Sequence, residues 1–381
     1  MAVPSLKINL RSPYHLTLSE SGLEKAQLDL YVYEGTTVTD RPATATYTLI
    51  STAYNERVSF EISELARDYL TQTFSGTYSS NTIWVDYQIT KTVSGTPTAL
   101  TAVTLSGIDG YGYFSDGVNP QLSDQVMMTN TKILKPDDSN FRIPVLQDDL
   151  TQVTWLDGNS QLATTAYSAT DESTDIIRYV TNEATLNDDY NARVIADSGT
   201  IEVSPCSRKA FNTLTLNNVT KVVLEFTTGT KVIEIENIEE CKYRPYKVTF
   251  VNKYGALQDM WFFKRHDFSI QTTEEKYKSN ILSAASYNTY DHQMAILEKE
   301  AKESIRLNSG WIPESYNAVI QEMMLSDRVW IEVDSSTEGD VQTLPVMVKM
   351  SGQQFKQHVN EKLIDYAMDF EFAFDKINNV R

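Results

Sequence analysis

Residues 248–263, VTFVNKYGALQDMWFF, constrain this chain more than any other stretch, because Met260, Trp261, Phe262 and Phe263 set four large apolar side chains in a row. Successive side chains of a strand point to opposite faces, so a single face cannot bury all four. A strand built this way is either covered on both sides or half-exposed against a partner. Val248, Phe250 and Val251 read as the strand before it. Asn252-Lys253-Tyr254-Gly255 reads as the turn between them, with Gly255 supplying a positive φ.

The chain is 381 residues long, which favours two or three domains over one core. A hydrophobic content of 41% with only 11 prolines indicates a folded protein. Its 21 tyrosines suit half-buried strand faces and subunit contacts, where the ring packs and the hydroxyl stays wet.

Short alternating runs dominate the first half. Leu28, Leu30 and Val32 alternate with Asp29, Tyr31 and Tyr33, and further strands are expected at 44–49, 58–62, 83–89 and 99–105, the last two around a turn at 94–97. A short helix is expected over 63–70, with Ser63 as cap. The four glycines of 106–124 interrupt the pattern and read as a long, mobile surface loop, without the ligand spacing of an EF-hand. A second strand-rich region follows, at 142–146, 153–156, 176–180, 200–203, 213–216, 222–226 and 232–235. Its clearest signal is a hairpin across Thr227-Thr228-Gly229-Thr230, and Asn187-Asp188-Asp189 reads as a turn.

The last third differs. Met294, Leu297, Ala301 and Ile305 fall at helical spacing, so 283–288 and 291–305 are expected to include helix; 298–306 also reads as a strand of alternating polarity, and the helix formers tip the choice. A firmer helix spans 315–325, capped by Ser315, with Val319, Ile320, Met323 and Met324 on one side. Strands return at 329–333, 344–349 and 365–374. In the last, Tyr366, Met368, Phe370, Phe372 and Phe374 should share one buried face, while Asp369 and Glu371 point away. The fold class is thus mainly β with some α: β-sandwich-like domains at 1–124 and 125–245, then an α+β carboxy-terminal assembly domain at 246–381.

Several functions find no support. A net charge of −18, with no basic run, argues against gripping nucleic acid through its phosphates. There is no nucleophile elbow, P-loop or dinucleotide fingerprint. Paired carboxylates carry no information among 51 acidic residues, and Asp137-Asp138 and Asp148-Asp149 read as turns. No enzyme, cofactor or metal is expected. Cys206 and Cys241 form no CxxC pair and read as free thiols in a reducing compartment, with a single disulfide as the minor alternative. His15, His266, His292 and His358 are scattered; His266 reads as a solvated residue at a strand end or a pH-sensitive contact. No signal peptide or bilayer-spanning segment is evident, so synthesis in the cytoplasm without export by that route is expected.

Three segments carry a resemblance: VTFVNKYGALQDMWFFKR at 248–265, LNSGWIPESYNAVIQEMMLSDRVWIEV at 307–333 and EKLIDYAMDFEFAFDKINNVR at 361–381. In this order they resemble virion structural proteins of tailed bacteriophages that infect Bacteroidetes, crAss-like phages included. The resemblance covers roughly the last third of the chain and transfers no active-site residue. It implies a neck or tail subunit arranged in a ring of identical copies, with other tail or portal-proximal proteins as partners. Trp261, Phe262, Phe263 and Trp330 are then the candidate assembly contacts. An acidic wall around a DNA passage would repel the phosphate backbone. A receptor- or glycan-binding adhesin of the same particle is the alternative, and a host-encoded binding module a third reading.

Overall fold

A computed structural model describes residues 6–34, 40–79, 82–122, 124–137, 139–147, 149–167, 176–185, 195–196, 199–200, 213–216, 218–282, 285–334, 341–349 and 363–377. The protein is mainly β, and it divides into two compact units. The first comprises 1–239 with 249–260, and the second 240–248 with 261–381.

The first unit begins with β1 (Lys7–Asn9), β2 (His15–Ser19), β3 (Leu23–Tyr33), β4 (Tyr47–Thr52), β5 (Arg57–Glu61), β6 (Thr82–Val93), β7 (Thr96–Ala99) and β8 (Val103–Ile108). The main sheet runs β1-β8-β6-β3-β4 with β7 on β6, and β2 pairs with β5 in a second sheet. Alternation in β3 sends Ala26, Leu28, Leu30 and Val32 inward, where they meet Ile83 and Val85 of β6 and Leu16 and Phe60 of the second sheet. The helix α1 (Ser63–Arg67) is shorter than its apolar stripe suggests, and Ser63 does not cap it. Its hydroxyl is taken by the Glu61 carboxylate and by the Tyr14 amide, 3.3 Å away, so the preceding Ile62 holds the cap position without a side-chain bond.

The expected surface loop at 106–124 holds for 114–118, which are exposed, but its first residues are packed. Ser106, Gly107 and Ile108 belong to β8, and Asp109 is buried with the Arg67 guanidinium 3.6 Å from its carboxylate. Gly110 is required by a close approach of two backbones: a Cβ there would lie 2.9 Å from the Lys253 carbonyl oxygen.

The second group of strands is β9 (Lys132–Pro136), β10 (Ile143–Leu146), β11 (Leu150–Asp157), β12 (Ser160–Ala166), β13 (Ile177–Val180), β14 (Glu183–Thr185), β15 (Ile195–Ala196), β16 (Gly199–Thr200), β17 (Thr213–Thr215), β18 (Lys221–Phe226) and β19 (Gly229–Ile238). One sheet runs β12-β11-β18-β19-β9; β10–β13, β14–β17 and β15–β16 are separate pairs. Trp155 anchors the core, its indole donating to the Thr181 carbonyl at 2.8 Å. The expected hairpin is present and tight, with Phe226 opposite Gly229 across Thr227-Thr228. Asn187–Asp189, Cys206, 201–203, Asp138 and Asp148 lie outside the described residues. Cys241 is free and exposed.

The expected border at 124/125 separates two apolar cores, yet both belong to one unit. A third cluster joins Ile108, Met127, Leu146, Ile176 and Ile177 to Tyr254 and Ala256 of the 248–263 stretch.

The second unit contains only the outer ends of β20 (Tyr246–Val251) and β21 (Leu257–Phe262), residues 246–248 and 261–262, then β22 (Asp267–Lys278), β23 (Met294–Pro313), α2 (Tyr316–Met324), β24 (Val329–Asp334), β25 (Val341–Val348) and β26 (Leu363–Phe372). The sheet order is β21-β20-β24-β25-β26-β23-β22. In β26, Ile364, Tyr366, Met368, Phe370 and Phe372 are buried at every second position, as expected, whereas Phe374 lies past the strand and is exposed. Helix α2 buries Val319, Ile320 and Met323, and Ser315 precedes it without a side-chain bond.

Among the described residues of 283–305 no helix forms: 294–313 is one continuous strand, as the alternative reading of 298–306 had it. Leu297, Ala301 and Ile305 are four apart, a spacing compatible with one helix face and also with one strand face. Pairing decides. Ile305 lies opposite Phe370 and Leu307 opposite Met368, and that burial outweighs the propensity of Glu, Lys and Ala.

Candidate interaction ribbon

The hairpin 267–306 was not expected as a unit, and its first strand, β22, is exposed along its whole length. β22 and β23 pair antiparallel from Asp267↔Arg306 to Lys278↔Met294, with a bulge that leaves Leu297 as the extra residue. A last backbone bond, Ser279 N–H to the Gln293 carbonyl at 2.7 Å, closes the ribbon beyond them. β26 supports β23 only from Ser304 onward, and one further backbone bond, from Lys376 to Ala301, extends that support. Among the described residues, the ribbon beyond Ala301 is two-stranded. Residues 273–278 and 294–300 thus extend about 20 Å, at roughly 3.4 Å per residue.

All of β22 is exposed. Along the ribbon, Phe268, Ile270, Tyr277, Met294, Ile296 and Leu297 are about half open or more, as are Leu282, Tyr287 and Tyr290 near its end. At on the order of 100 Å² each, these nine leave on the order of 900 Å² of apolar-rich surface.

The root is tied down. Arg265 grips the Asp267 carboxylate with Nε at 3.0 Å and Nη2 at 2.8 Å. Glu371 accepts from Lys349 at 2.7 Å, with Lys302 at 3.9 Å; the Lys349 hydrogen bond chiefly holds its carboxyl below the usual carboxylate range. Lys376 pairs with Glu303 at 3.0 Å. His266 is not a solvated end residue: its ring sits edge-on between Tyr246, at 4.7 Å, and Phe268, at 5.7 Å. A ribbon with a fixed root and an uncovered edge is suited to backbone pairing with another strand.

Phe262, Phe263 and Trp330 are buried inside the chain, and so present no surface to a neighbour. Phe262 meets Phe370 edge-to-face, with ring centroids 5.8 Å apart. Trp261, on the opposite face of β21, is half-buried. Met260, Phe262 and Phe263 are therefore covered within the chain, and Trp261 alone of the row keeps part of its surface open.

The rest of the 248–263 stretch explains its cost by locking the first unit. Asn252 donates to the Met127 carbonyl at 2.7 Å and to Gln258 Oε1 at 2.9 Å, and Gln258 donates on to Asn130 at 2.9 Å. Its Oδ1 accepts the amides of Tyr254 and Ala256, at 3.0 and 3.1 Å. Asp259 accepts from the Tyr78 hydroxyl and from Thr249 at 2.7 Å, while Arg142 lies 3.6 Å from its other oxygen and 3.9 Å over the Tyr78 ring. Burial, and then the Asp259 charge, push Tyr78 far above the ordinary tyrosine value, and burial does the same to Tyr179. Held protonated in this way, the Tyr78 hydroxyl donates to Asp259, whereas the Tyr179 hydroxyl accepts the Leu257 amide at 2.9 Å.

Among the described residues, no group of three or more His, Cys, Asp and Glu is placed to hold a metal ion, and no helix is long and apolar enough to cross a membrane. The chain matches no protein-family model and no curated protein.

Proposed function

We propose that this protein is a structural subunit of a phage neck or tail, assembled into a ring that lines or encloses the DNA-ejection passage. The observation that carries the reading is the ribbon: a twelve-residue edge strand, exposed throughout, continuous with exposed Ile, Leu, Met and Tyr side chains. Water alone is a poor partner for such a surface, and copies of one chain that cover it head-to-tail form a ring where the rotation between them closes. The resemblance of 248–265, 307–333 and 361–381 to virion structural proteins supplies the particle. The charge of −18 suits a wall that DNA passes without sticking. Its residence is then the virion, after synthesis in the host cytoplasm, with tail or portal-proximal proteins as neighbours.

A second reading, an adhesin of the same particle, rests on Trp311, which is 67% exposed beside the bulge at Gly310 and offers a ring for sugar stacking. Electron microscopy of the purified full chain, with glycan-array binding in parallel, separates the two. Closed rings without glycan binding support the ring subunit; a glycan-binding monomer refutes it.

A further inference from the structure

The ribbon changes character along its length. At its root, 268–273 carries no charge. An acidic belt follows at one height on both strands, made of Glu274, Glu275, Glu298 and Glu300 with Lys299 as its one base. The register sets Glu274 opposite Lys299 and Thr273 opposite Glu300, but Glu275 directly opposite Glu298, a like-charge pair that weakens the ribbon. Beyond the belt the sign reverses. The end, 276–297, holds three charged residues among 22, Lys276, Lys278 and Asp291, so it is net +1 in a chain of −18.

The apolar groups of this end are not confined to one face. Cross-strand partners share a face, so Met294 and Ile296 lie with the stems of Lys278 and Lys276 on one side, and Tyr277 lies with Ala295 on the other. Leu282, Tyr287 and Tyr290 follow in the closing loop, the last at 78% exposure. The loop is shaped by bonds of its own, from the Leu282 amide to Asn280 Oδ1 at 3.1 Å and from the Asp291 amide to the Asn288 carbonyl at 3.2 Å. A flat protein surface covers one face of a ribbon and leaves the other in water. A fluid layer that surrounds the end covers both.

We propose that the ribbon end, 276–297, is a wedge that enters the headgroup layer of a lipid bilayer. Tyrosine rings and lysine stems suit that depth, with hydroxyl and ammonium groups in the polar layer and carbon below it. From Glu275 to Ser279 the strand rises about 14 Å, at roughly 3.4 Å per residue. Peripheral elements enter by about 5–10 Å, so the belt stays in water while the loop is immersed. The open edges of the ribbon bar it from the hydrocarbon core, where their backbone groups would find no partner. The uncharged root is left to neighbouring copies, and the wedge does not depend on the ring.

The test is flotation of the full chain with phosphatidylcholine vesicles, alone and with phosphatidylglycerol added. Co-flotation that survives high salt is expected, and Leu282→Ser or Tyr290→Ser should each lower the partition coefficient about tenfold. Both side chains are exposed, so the variants should keep the parent's unfolding midpoint. An environment-sensitive dye on Asn288→Cys, with Cys206→Ser and Cys241→Ser, should shift to the blue when vesicles are added, and the same dye on Glu298→Cys should not. No flotation with either vesicle, or flotation indifferent to both substitutions, overturns the proposal. A dye at 288 already shifted to the blue without lipid overturns it in favour of a protein socket.

Discussion

At the level of single residues, Phe370 and Glu371 are adjacent in β26 and differ completely in consequence. Phe370 is buried against Phe262 and opposite Ile305, so Phe370→Ala should destabilise the second unit by about 3–5 kcal/mol in denaturant unfolding of the full chain. Glu371→Ala should cost less than about 1 kcal/mol, as expected of an exposed ion pair. Equal losses would contradict the register. Gly255 has φ +76°, and a Cβ would lie 2.8 Å from the Asp109 backbone; Gly95 has φ +78° with open space around it. Gly95→Ala should therefore show only the left-handed strain, about 1–2 kcal/mol, and Gly255→Ala clearly more, read from the same unfolding curves. The Gly255 turn was legible in the sequence because its φ requirement is local. The reason for Gly110 was not, because it depends on a backbone strand more than a hundred residues away.

Glu240 shows the acid side of this balance. The hydrogen bond from Lys264 chiefly, aided by the amides of Lys242 and Tyr243, lowers its carboxyl below its ordinary value of 4.5. A lowered value in the folded state means stabilisation that is present at neutral pH and is lost as pH falls below the ordinary carboxylate value. Glu240→Gln should lower stability at pH 7 and flatten the acid limb of the pH–stability curve below about pH 4.5. An unchanged acid limb would show that this pairing contributes nothing.

Among the elements, strands with strict alternation were readable: β3, β18 and β26 each expose their period in the sequence. β23 was not, because a four-residue apolar spacing satisfies both helix and strand, and only its partners β22 and β26 choose. β22 escaped notice although Phe268, Ile270 and Thr272 alternate with polar residues, since its apolar positions are few and none is buried. The candidate contacts failed for a related reason. Sequence shows that Phe262, Phe263 and Trp330 are large and apolar, but only the folded sheet shows that both its faces are already covered there. The ribbon's energetics lead to a direct expectation. Two strands alone in water are marginal, so amides of 273–278 and 294–300 should exchange with deuterium much faster than those of 304–313 in the isolated chain. Protection appearing at 268–273 on assembly would mark the edge as covered, and no change would mark it as idle.

For the molecule as a whole, the account makes function a matter of covering one exposed edge. The buried polar cluster of Asn252, Gln258 and Asp259 fixes the hairpin 248–263 in place. Under the ring proposal, the exposed ribbon is the surface that neighbouring copies would cover. Native mass spectrometry of the purified full-length chain tests it most directly. The expected result is a single closed oligomer of discrete mass, converted toward monomer by Ile270→Glu. A monomer across the accessible concentration range, or an oligomer indifferent to that substitution, would contradict it.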